Sequence, residues 1–315
     1  MKTDKRKVII TGSVGFDDVK TPFGFRETAL GGSAVYSSWA CSFFNPAGMI
    51  GVAGADFSQD HLKLLNARDI DTEGLLIKQG KTFRWRGEYG SDFNTAHTLS
   101  TELNVMDGFS PVVPESYRGS DFLFLANIDP AVQLEVAKAV GASRIIAADT
   151  MNFWIEHKRA ELLRVIELCS ILFVNDSEAR QLTSESNITR ACSRIMEMGP
   201  DTVVVKQGEY GATMFYSDRK KGAVRVFSVP SIPLDSVIDP TGAGDSFAGG
   251  FMGYLASCGR SDEAAVRSAV AVGSVVASFT VEGFSLETLM KTDIQNIMSR
   301  YSRLKDISLF GDFLL

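Results

Sequence analysis

The sequence predicts an α/β protein built on a doubly wound, mainly parallel β-sheet with helices on both faces. After residue 121, apolar runs of strand length alternate with stretches of helix length, an order typical of parallel sheets. Two earlier stretches, 19–30 and 81–103, alternate aromatic or apolar with charged residues, which is typical of strands with one wet face. We therefore expect a main domain formed by residues 1–17, 31–76 and 105–315, with a small β-sheet lid formed by 18–30 and 77–104.

The first third of the chain begins with a β-branched run that predicts a buried strand at 7–14. We expect a loop after it that carries Asp17 and Asp18. Ligands of open α/β sheets meet such loops, so a carboxylate here is a candidate for binding hydroxyl groups. Asp is also common in turns for purely structural reasons. Further elements are predicted as helices at 33–43 and 57–68 and a strand at 47–53.

The second half of the chain has the more regular pattern. Polar residues follow three of its strands, which places Asn127, Asp149 and Asn175 on one rim of the sheet. The predicted strands are 122–126, 145–148, 171–174 and 202–205, followed by hairpin strands at 212–216 and 223–229. The predicted helices are 130–140, 156–168 and 189–198, with a helix at 243–258 and two more after it.

Composition excludes several classes of protein. The chain of 315 residues has a formal net charge of −6, which argues against nucleic acid or an anionic membrane as a main partner. Its four cysteines are widely spaced and contain no CxxC pair, so they indicate reduced thiols of a cytoplasmic protein. We expect small-molecule partners.

The stretch from Asp239 to Phe251 carries the clearest chemistry. Gly242 and Gly244 stand at the start of a predicted helix, where backbone N–H groups lack intrahelical partners and the helix dipole is positive. Small residues let an anion approach those groups, and Asp245 lies beside them. The arrangement suits transfer of an anionic group to a hydroxyl. The alternative is a glycine-rich helix start that packs against the sheet, with Asp245 as a dipole partner.

This stretch, Asp-Pro-Thr-Gly-Ala-Gly-Asp-Ser-Phe, resembles the C-terminal signature of the ribokinase-like (PfkB) carbohydrate and nucleoside kinases. The resemblance implies that Asp245 is the catalytic base and that Gly242, Ala243 and Gly244 form an anion hole for the transferred phosphoryl group. A looser match to the N-terminal signature begins at Gly31 and runs through 51–56, so the resemblance spans nearly the whole chain.

On the acceptor side, the resemblance implies that Asp17 binds the substrate, with Asp18 as a bystander, and that Gly31 and Gly32 contact it. Ser33 follows this glycine pair as in adenosine kinases, whereas ribokinases have Lys there. Two further departures, Gly15 and Tyr36 where related sugar kinases carry Asn, argue against plain ribose as the substrate.

On the nucleotide side, Asn175 and Glu178 match an Asn-x-x-Glu motif that the family ties to phosphate and to Mg²⁺, here through water. The same two residues also form a helix-capping pattern, which is the structural alternative. The resemblance further implies nucleotide contacts at Lys206, Gly208, Gly211 and Thr241. It also points to a monovalent cation, K⁺, at Asp239 and Ser285.

Together these features predict a cytoplasmic, ATP- and Mg²⁺-dependent kinase that phosphorylates a primary hydroxyl of a small sugar. One alternative is a ribonucleoside, adenosine-like, kinase. Another, from a different class, is a non-catalytic sensor of sugars or nucleotides on the same fold. The resemblance also admits a homodimer formed through the lid.

Overall fold

A computed structural model describes residues 7–91, 93, 95–218 and 222–309. The strands are β1 Val8–Thr11, β2 Gly15–Thr21, β3 Gly24–Gly31, β4 Ala47–Gly54, β5 Ile70–Lys78, β6 Phe83–Tyr89, β7 Ala96–Glu102, β8 Phe122–Leu125, β9 Ile145–Asp149, β10 Ile171–Asn175, β11 Thr202–Lys206, β12 Ala212–Asp218 and β13 Ala223–Val229. The helices are α1 Ser33–Ser42, α2 Gln59–Asn66, α3 Pro130–Val140, α4 Asn152–His157, α5 Arg159–Leu168, α6 Asp176–Thr183, α7 Ile188–Glu197, α8 Ala243–Cys258, α9 Glu263–Thr280, α10 Glu287–Lys291 and α11 Ile294–Ile307.

Nine strands form one large sheet in the order β13-β12-β11-β10-β9-β8-β1-β4-β5. The strands from β11 to β5 in this order are parallel to their neighbours, while β12 and β13 extend the sheet as antiparallel strands. Parallel strands bring their carboxyl ends to one edge, which gathers the ends of β1, β8, β9, β10 and β11 there.

Helices cover both faces of the large sheet. Helices α1, α8 and α9 pack over one face through side chains such as Trp39, Phe251 and Val270. On the other face α3, α5 and α7 contribute Val136, Leu162 and Ile195 to a second hydrophobic core. Burial on both faces explains why the parallel strands are continuous apolar runs in the sequence. The predicted fold class is confirmed.

A second, four-stranded sheet has the order β3-β2-β6-β7 and is called the small sheet below. The hairpin β2–β3 is antiparallel, and β2 pairs in parallel with β6. The small sheet begins at Gly15, three residues before the lid boundary expected from sequence, and Ile77 and Lys78 belong to β5 of the large sheet. The expected domain ranges also include residues 1–6, 92, 94, 219–221 and 310–315, which lie outside the described residues.

Two predictions about helices were wrong. The stretch predicted as one helix at 156–168 forms α4 and α5, because the backbone of Lys158 leaves helical geometry, with φ −134° and ψ 35°. After α8 the described chain has three helices rather than two, since α10 and α11 separate at Thr292 and Asp293. The side chain of Asp293 caps α11, which gives it a distinct start.

Within the described residues, no helix combines the length and the apolar character required to span a bilayer.

Candidate active site

Two glycines shape the start of α8. Gly242 precedes the helix with φ 76°, a left-handed conformation that favours glycine. A Cβ atom on Gly242 would lie 2.5 Å from the ring of Tyr36, so no larger residue fits there. Gly244 stands in the first turn of the helix, where amide groups lack intrahelical acceptors. We call residues 242–244 the glycine cradle.

The middle residue of the cradle differs from its neighbours. The amide of Ala243 donates to the carbonyl of Pro240 at 3.1 Å. This bond uses the Ala243 amide inside the loop, so the amides of Gly244 and Asp245 are the remaining candidate donors to an anion.

Asp245 follows the cradle in the first turn of α8. Burial raises the pKa of its carboxyl to about 7, with nearby Asp149 acting in the same direction and Lys206 acting against it. A general base works best when its pKa lies near the working pH, so Asp245 suits proton removal from a hydroxyl at neutral pH.

Asp17 lies in strand β2 rather than in a loop, which corrects the expectation from sequence. Strand β2 starts only three residues after β1, so the chain enters the small sheet before Asp17. The Asp17 side chain is buried against Gly31, where a Cβ atom would lie 2.0 Å from its Oδ2 atom. Burial raises the Asp17 pKa to about 8, and the charges of Asp239 and Asp245 add to the increase.

Asp18 points to the opposite face of β2. Its carboxylate accepts from Arg84 Nη2 at 2.8 Å and Nε at 2.9 Å, and from Arg86 Nη2 at 3.1 Å. Burial raises the Asp18 pKa, but the bonds from Arg84, Thr28 and Arg86 outweigh burial and lower it overall. Asp18 therefore forms its ion pairs within the small sheet.

The turn between β3 and α1 brings Gly32 and Ser33, two residues predicted to bind the acceptor substrate, close to the carboxyl end of β1. Gly32 has φ 96°, and a Cβ atom there would lie 2.4 Å from the carbonyl of Ser13. Ser33 does not cap α1, as its hydroxyl donates to the carbonyl of Asn127 at 2.7 Å and accepts from the amide of Ser13 at 3.0 Å. These bonds fix the glycine turn against the carboxyl edge of the large sheet.

Asn175 and Glu178 form the capping box expected for α6. The Asn175 side chain accepts from the amide of Glu178 at 2.7 Å, and Glu178 Oε2 accepts from the amide of Asn175 at 2.8 Å. Burial raises the Glu178 pKa to about 7, while Lys206 lowers it and Asp149 raises it further. The box leaves a second carboxylate oxygen of Glu178 available to a ligand.

Lys206 ends strand β11 and turns towards the cradle. Its ammonium donates to Asp149 Oδ2 at 2.6 Å, and a Cβ atom on Gly244 would lie 3.1 Å from Lys206 Nζ. The following turn contains Gly208 and Gly211, and Gly211 has φ 97° with its backbone against the carbonyl of Val229. This close approach explains why position 211 requires glycine, whether or not a nucleotide binds there.

Asp239 and Thr241 occupy the loop before the cradle. Asp239 Oδ1 accepts from the amide of Thr241 at 2.9 Å, whereas Oδ2 is buried and has no hydrogen-bond partner among the described residues. The hydroxyl of Ser285 donates to the carbonyl of Leu30 in the small sheet. The hydroxyl of Tyr89, also from the small sheet, lies 3.3 Å from Thr241 Oγ1.

The geometry therefore brings the glycine cradle, the half-buried carboxylate of Asp245 and the buried carboxylate of Asp17 in the small sheet near one another. The profile of the PfkB family carbohydrate kinases matches residues 9–289. The chain belongs to the PfkB family. Its curated relatives include kinases by name, and this PfkB protein is a phosphotransferase that acts on an alcohol group.

Two curated relatives are similar over most of the chain. The cytidine kinase of Thermococcus kodakarensis is 29% identical over 264 residues, covering 82% of this chain and 92% of the relative. A nucleoside kinase of Methanothermobacter thermautotrophicus is 28% identical over 253 residues, covering 76% of this chain and 74% of that protein.

Solved structures share the fold. The nucleoside kinase of Methanocaldococcus jannaschii superimposes with a TM-score of 0.75 at 20% identity, covering 95% of this chain and 99% of that one. A putative ribokinase II from E. coli in complex with ATP and Mg²⁺ gives a TM-score of 0.76 at 19% identity, with coverage of 95% and 99%.

Three residues at the site received no functional role from the sequence. Asp149 was recognised only as a polar strand end, and Tyr36 only as a departure from the family pattern. Tyr89 gave no signal, since its contact with Thr241 joins residues 152 positions apart. Burial raises the pKa values of both tyrosines, and the surrounding carboxylates add to the effect, so their hydroxyls stay neutral.

Proposed function

We propose that this PfkB kinase transfers the γ-phosphoryl group of ATP to a primary hydroxyl of a ribonucleoside. The observation that carries the proposal is Asp245, a half-buried carboxylate that directly follows the glycine cradle. Asp17 lies within electrostatic reach of Asp245, so an acceptor bound at Asp17 could present a hydroxyl to the base. Named cytidine and nucleoside kinases among the relatives support a nucleoside acceptor.

The residues present fit ATP and Mg²⁺. The start of α8 offers the amides of Gly244 and Asp245 as donors, and Lys206 adds a positive charge beside Gly244. Glu178 would hold Mg²⁺ through water, because this ion prefers oxygen ligands and keeps several waters. We assign nucleotide contacts to Asn175 and Thr241 as well, and to the turn formed by Gly208 and Gly211. When bound, ATP with Mg²⁺ supplies the phosphoryl group and a divalent charge that offsets the surrounding carboxylates.

The chain's own groups then account for the reaction. Asp245 takes the proton from the acceptor hydroxyl as that oxygen attacks, and the amides at the start of α8 stabilise the charge on the transferred group. Asp17 accepts hydrogen bonds from other hydroxyls of the acceptor, with Gly31 and Gly32 allowing close approach and Ser33 fixing the turn. The small sheet excludes water, which would otherwise take the phosphoryl group.

A small sugar is the second candidate acceptor. It shares the primary hydroxyl chemistry, and the family profile is that of carbohydrate kinases. The departures at Ser33 and Tyr36 favour the nucleoside over plain ribose. The non-catalytic sensor is the weakest alternative, because the relatives are named as kinases.

Consumption of ATP by the purified protein against a panel of nucleosides and sugars tests the acceptor class. We expect ribonucleosides to give the highest kcat/KM and Asp245→Asn to abolish the signal. Sugar-only turnover would replace the nucleoside with the second candidate. No turnover with any acceptor, while ATP binds, would favour the sensor.

We also propose K⁺ binding at Asp239 and Ser285, supported by the partnerless, buried Oδ2 of Asp239. The hydroxyl of Ser285 already donates to Leu30, so we expect its backbone carbonyl rather than its hydroxyl to contribute. Replacing K⁺ with Na⁺ in the assay should lower turnover, and equal rates in both salts would reject the site.

Finally, we propose a cytoplasmic protein without nucleic-acid or membrane partners, which forms a homodimer through the small sheet. Cys41, Cys169 and Cys192 are buried free thiols, which suits a reducing compartment. Exposed aromatic and aliphatic side chains on the small sheet, Phe23, Phe25 and Leu99, support a covered surface. Light scattering after gel filtration would measure the mass, and a monomer at working concentration would exclude the dimer.

A further inference from the structure

A buried charged cluster lies between the glycine cradle and the ends of three neighbouring strands. Asp149 ends β9, Asn175 leads from β10 to Glu178, and Lys206 ends β11. The side chains of Asp149 and Lys206 are 4% and 18% exposed. With Asp245 on the other side, a single ammonium group faces three carboxylates, so its position decides how charge is distributed around the cradle.

The Asp149 carboxylate is held from both sides. Its Oδ1 atom accepts from the amide of Thr150 at 3.0 Å, and Oδ2 accepts from Lys206 at 2.6 Å. Its backbone carbonyl accepts from Gln133, a side chain that is 1% exposed. A carboxylate fixed in this way can hold a flexible lysine in one place.

The Lys206 ammonium has donors left over. An ammonium carries three N–H groups, and among the described residues Asp149 is the acceptor of its one hydrogen bond. Its Nζ atom lies beside Gly244, so the remaining donors stand next to the amides that would bind a phosphoryl group. The Lys206 side chain is 18% exposed, so these donors are accessible to an anion bound at the same amides.

We infer that Lys206 is a catalytic residue that contacts the transferred γ-phosphoryl group, and that Asp149 is the positioning residue that holds its ammonium beside Gly244. The inference deepens the proposed function and rests on its assignment of the cradle to phosphate. A fixed positive charge at this point stabilises the charge that builds up during transfer without any rearrangement at the moment of reaction. The competing explanation is a purely structural ion pair that ties β9 to β11.

The test compares binding of Mg²⁺-ADP with binding of a non-hydrolysable Mg²⁺-ATP analogue, by calorimetry. Lys206→Met removes the charge and keeps the length of the side chain. We expect this variant to lower the affinity for the analogue by about 10-fold to 100-fold and the affinity for ADP by less than about twofold, since only the analogue carries the terminal phosphate. Equal weakening of both ligands, or of neither, would overturn the assignment.

Asp149→Asn and the double variant Asp149→Asn/Lys206→Met separate positioning from structure. We expect Asp149→Asn to weaken the analogue in the same direction by less, and the double variant to match Lys206→Met, because Asp149 acts only through the lysine. Additive losses in the double variant would contradict the positioning role. The double variant removes both charges together, so it remains informative if a single variant fails to fold.

Asp71→Asn is the matched control. Lys7 and Asp71 also form an ion pair, but at the opposite edge of the large sheet, where β4 and β5 begin. We expect Asp71→Asn to change stability without changing the ratio of analogue to ADP affinity, and a changed ratio would show that the readout reports stability. Neither ligand requires an acceptor, so a wild-type protein inactive on nucleosides would refute the proposed acceptor and leave this test valid.

Discussion

Asp17 and Asp18 are neighbours on β2, yet they sit in opposite electrostatic environments. Asp18 faces two arginines, and its side chain is fully enclosed by Arg84, Arg86 and the amide of Thr28. Asp17 faces two further carboxylates, Asp239 and Asp245, and its pKa rises to about 8. A carboxylate that the protein itself neutralises serves the fold, whereas one held among like charges costs stability and is typical of a site that awaits a ligand.

The largest expected effect comes from extending this comparison to Asp245. Asp245→Asn keeps the shape of the side chain but cannot take a proton, so we expect kcat to fall by about 10²- to 10⁴-fold. Binding of ADP, measured by calorimetry, should stay within about twofold because the amide keeps the helix start intact. A variant with near-native kcat would show that Asp245 is not the base.

The second effect is on stability. Asp18→Asn removes the negative charge and replaces one of the two acceptor oxygens with an NH2 donor that faces the arginines, and we expect the free energy of unfolding in urea to fall by about 1–3 kcal/mol. The arginines are 32% and 49% exposed, so water offsets part of the loss. Asp60→Asn, which breaks an exposed pair with Lys63, is the control and should change stability by less than about 0.5 kcal/mol. Equal effects would remove the distinction between the two pairs.

The third effect has the opposite sign to the second. The folded-state pKa of Asp17 is raised, so its contribution to stability is present below its unfolded pKa and is lost as the pH rises through about 8. Asp17→Asn should therefore be more stable than the wild type by at least about 1 kcal/mol at pH 8.5, with an advantage that grows between pH 4 and pH 8. The lowered pKa of Asp18 makes its contribution present at neutral pH and lost on acidification.

Denaturant unfolding across this pH range measures the pH dependence of stability that arises from Asp17 and the opposite dependence that arises from Asp18. The same Asp17→Asn variant should raise KM for the acceptor more than KM for ATP, because the carboxylate is placed to accept hydroxyl groups. A variant that is less stable than the wild type at high pH would contradict the raised pKa of Asp17. A variant that changes only the KM for ATP would show that Asp17 does not bind the acceptor.

The smallest effect concerns contact between the small sheet and the loop before the cradle. Tyr89→Phe removes the hydroxyl that lies 3.3 Å from Thr241, a bond worth about 0.5–1.5 kcal/mol. We expect faster amide exchange in β2, β3 and β6 when acceptor and a non-hydrolysable ATP analogue are bound, with a rise in acceptor KM of about two- to tenfold. Exchange unchanged in those strands would mean that this hydroxyl does not stabilise the closed small sheet.

Local signals explain what could be predicted from sequence. Helix α3 has the predicted bounds, because Asp129 caps its start, Pro130 opens it and Gly141 ends it with φ 87°. The capping box of α6 is equally local. The glycine cradle could be located because its requirement, space at a helix start, is written in consecutive residues.

Distant pairings explain what could not be predicted. Asp17 was expected in a loop because nothing near it shows that β2 pairs with β6, nearly seventy residues later. The bond between Lys206 and Asp149 joins residues 57 apart, so the sequence assigned Lys206 a nucleotide contact but gave Asp149 only as a polar strand end. Alternation along β6 does predict that Arg84 and Arg86 share a face, but their acceptor became visible only with the sheet assembled.

The three-residue connection between β1 and β2 bears on how much ATP would be hydrolysed without phosphorylating the acceptor. Asp17 lies near this anchored end of β2, whereas the hairpin tip at Phe23 lies six residues farther out, about 20 Å along an extended strand. We expect the small sheet to pivot about the anchored end, so that its tip swings widely while Asp17 hardly moves. The acceptor then docks on a nearly finished site, and leakage of the phosphoryl group to water depends on the outer strands alone. Such a lever would keep the stoichiometry close to one nucleotide consumed for each product formed.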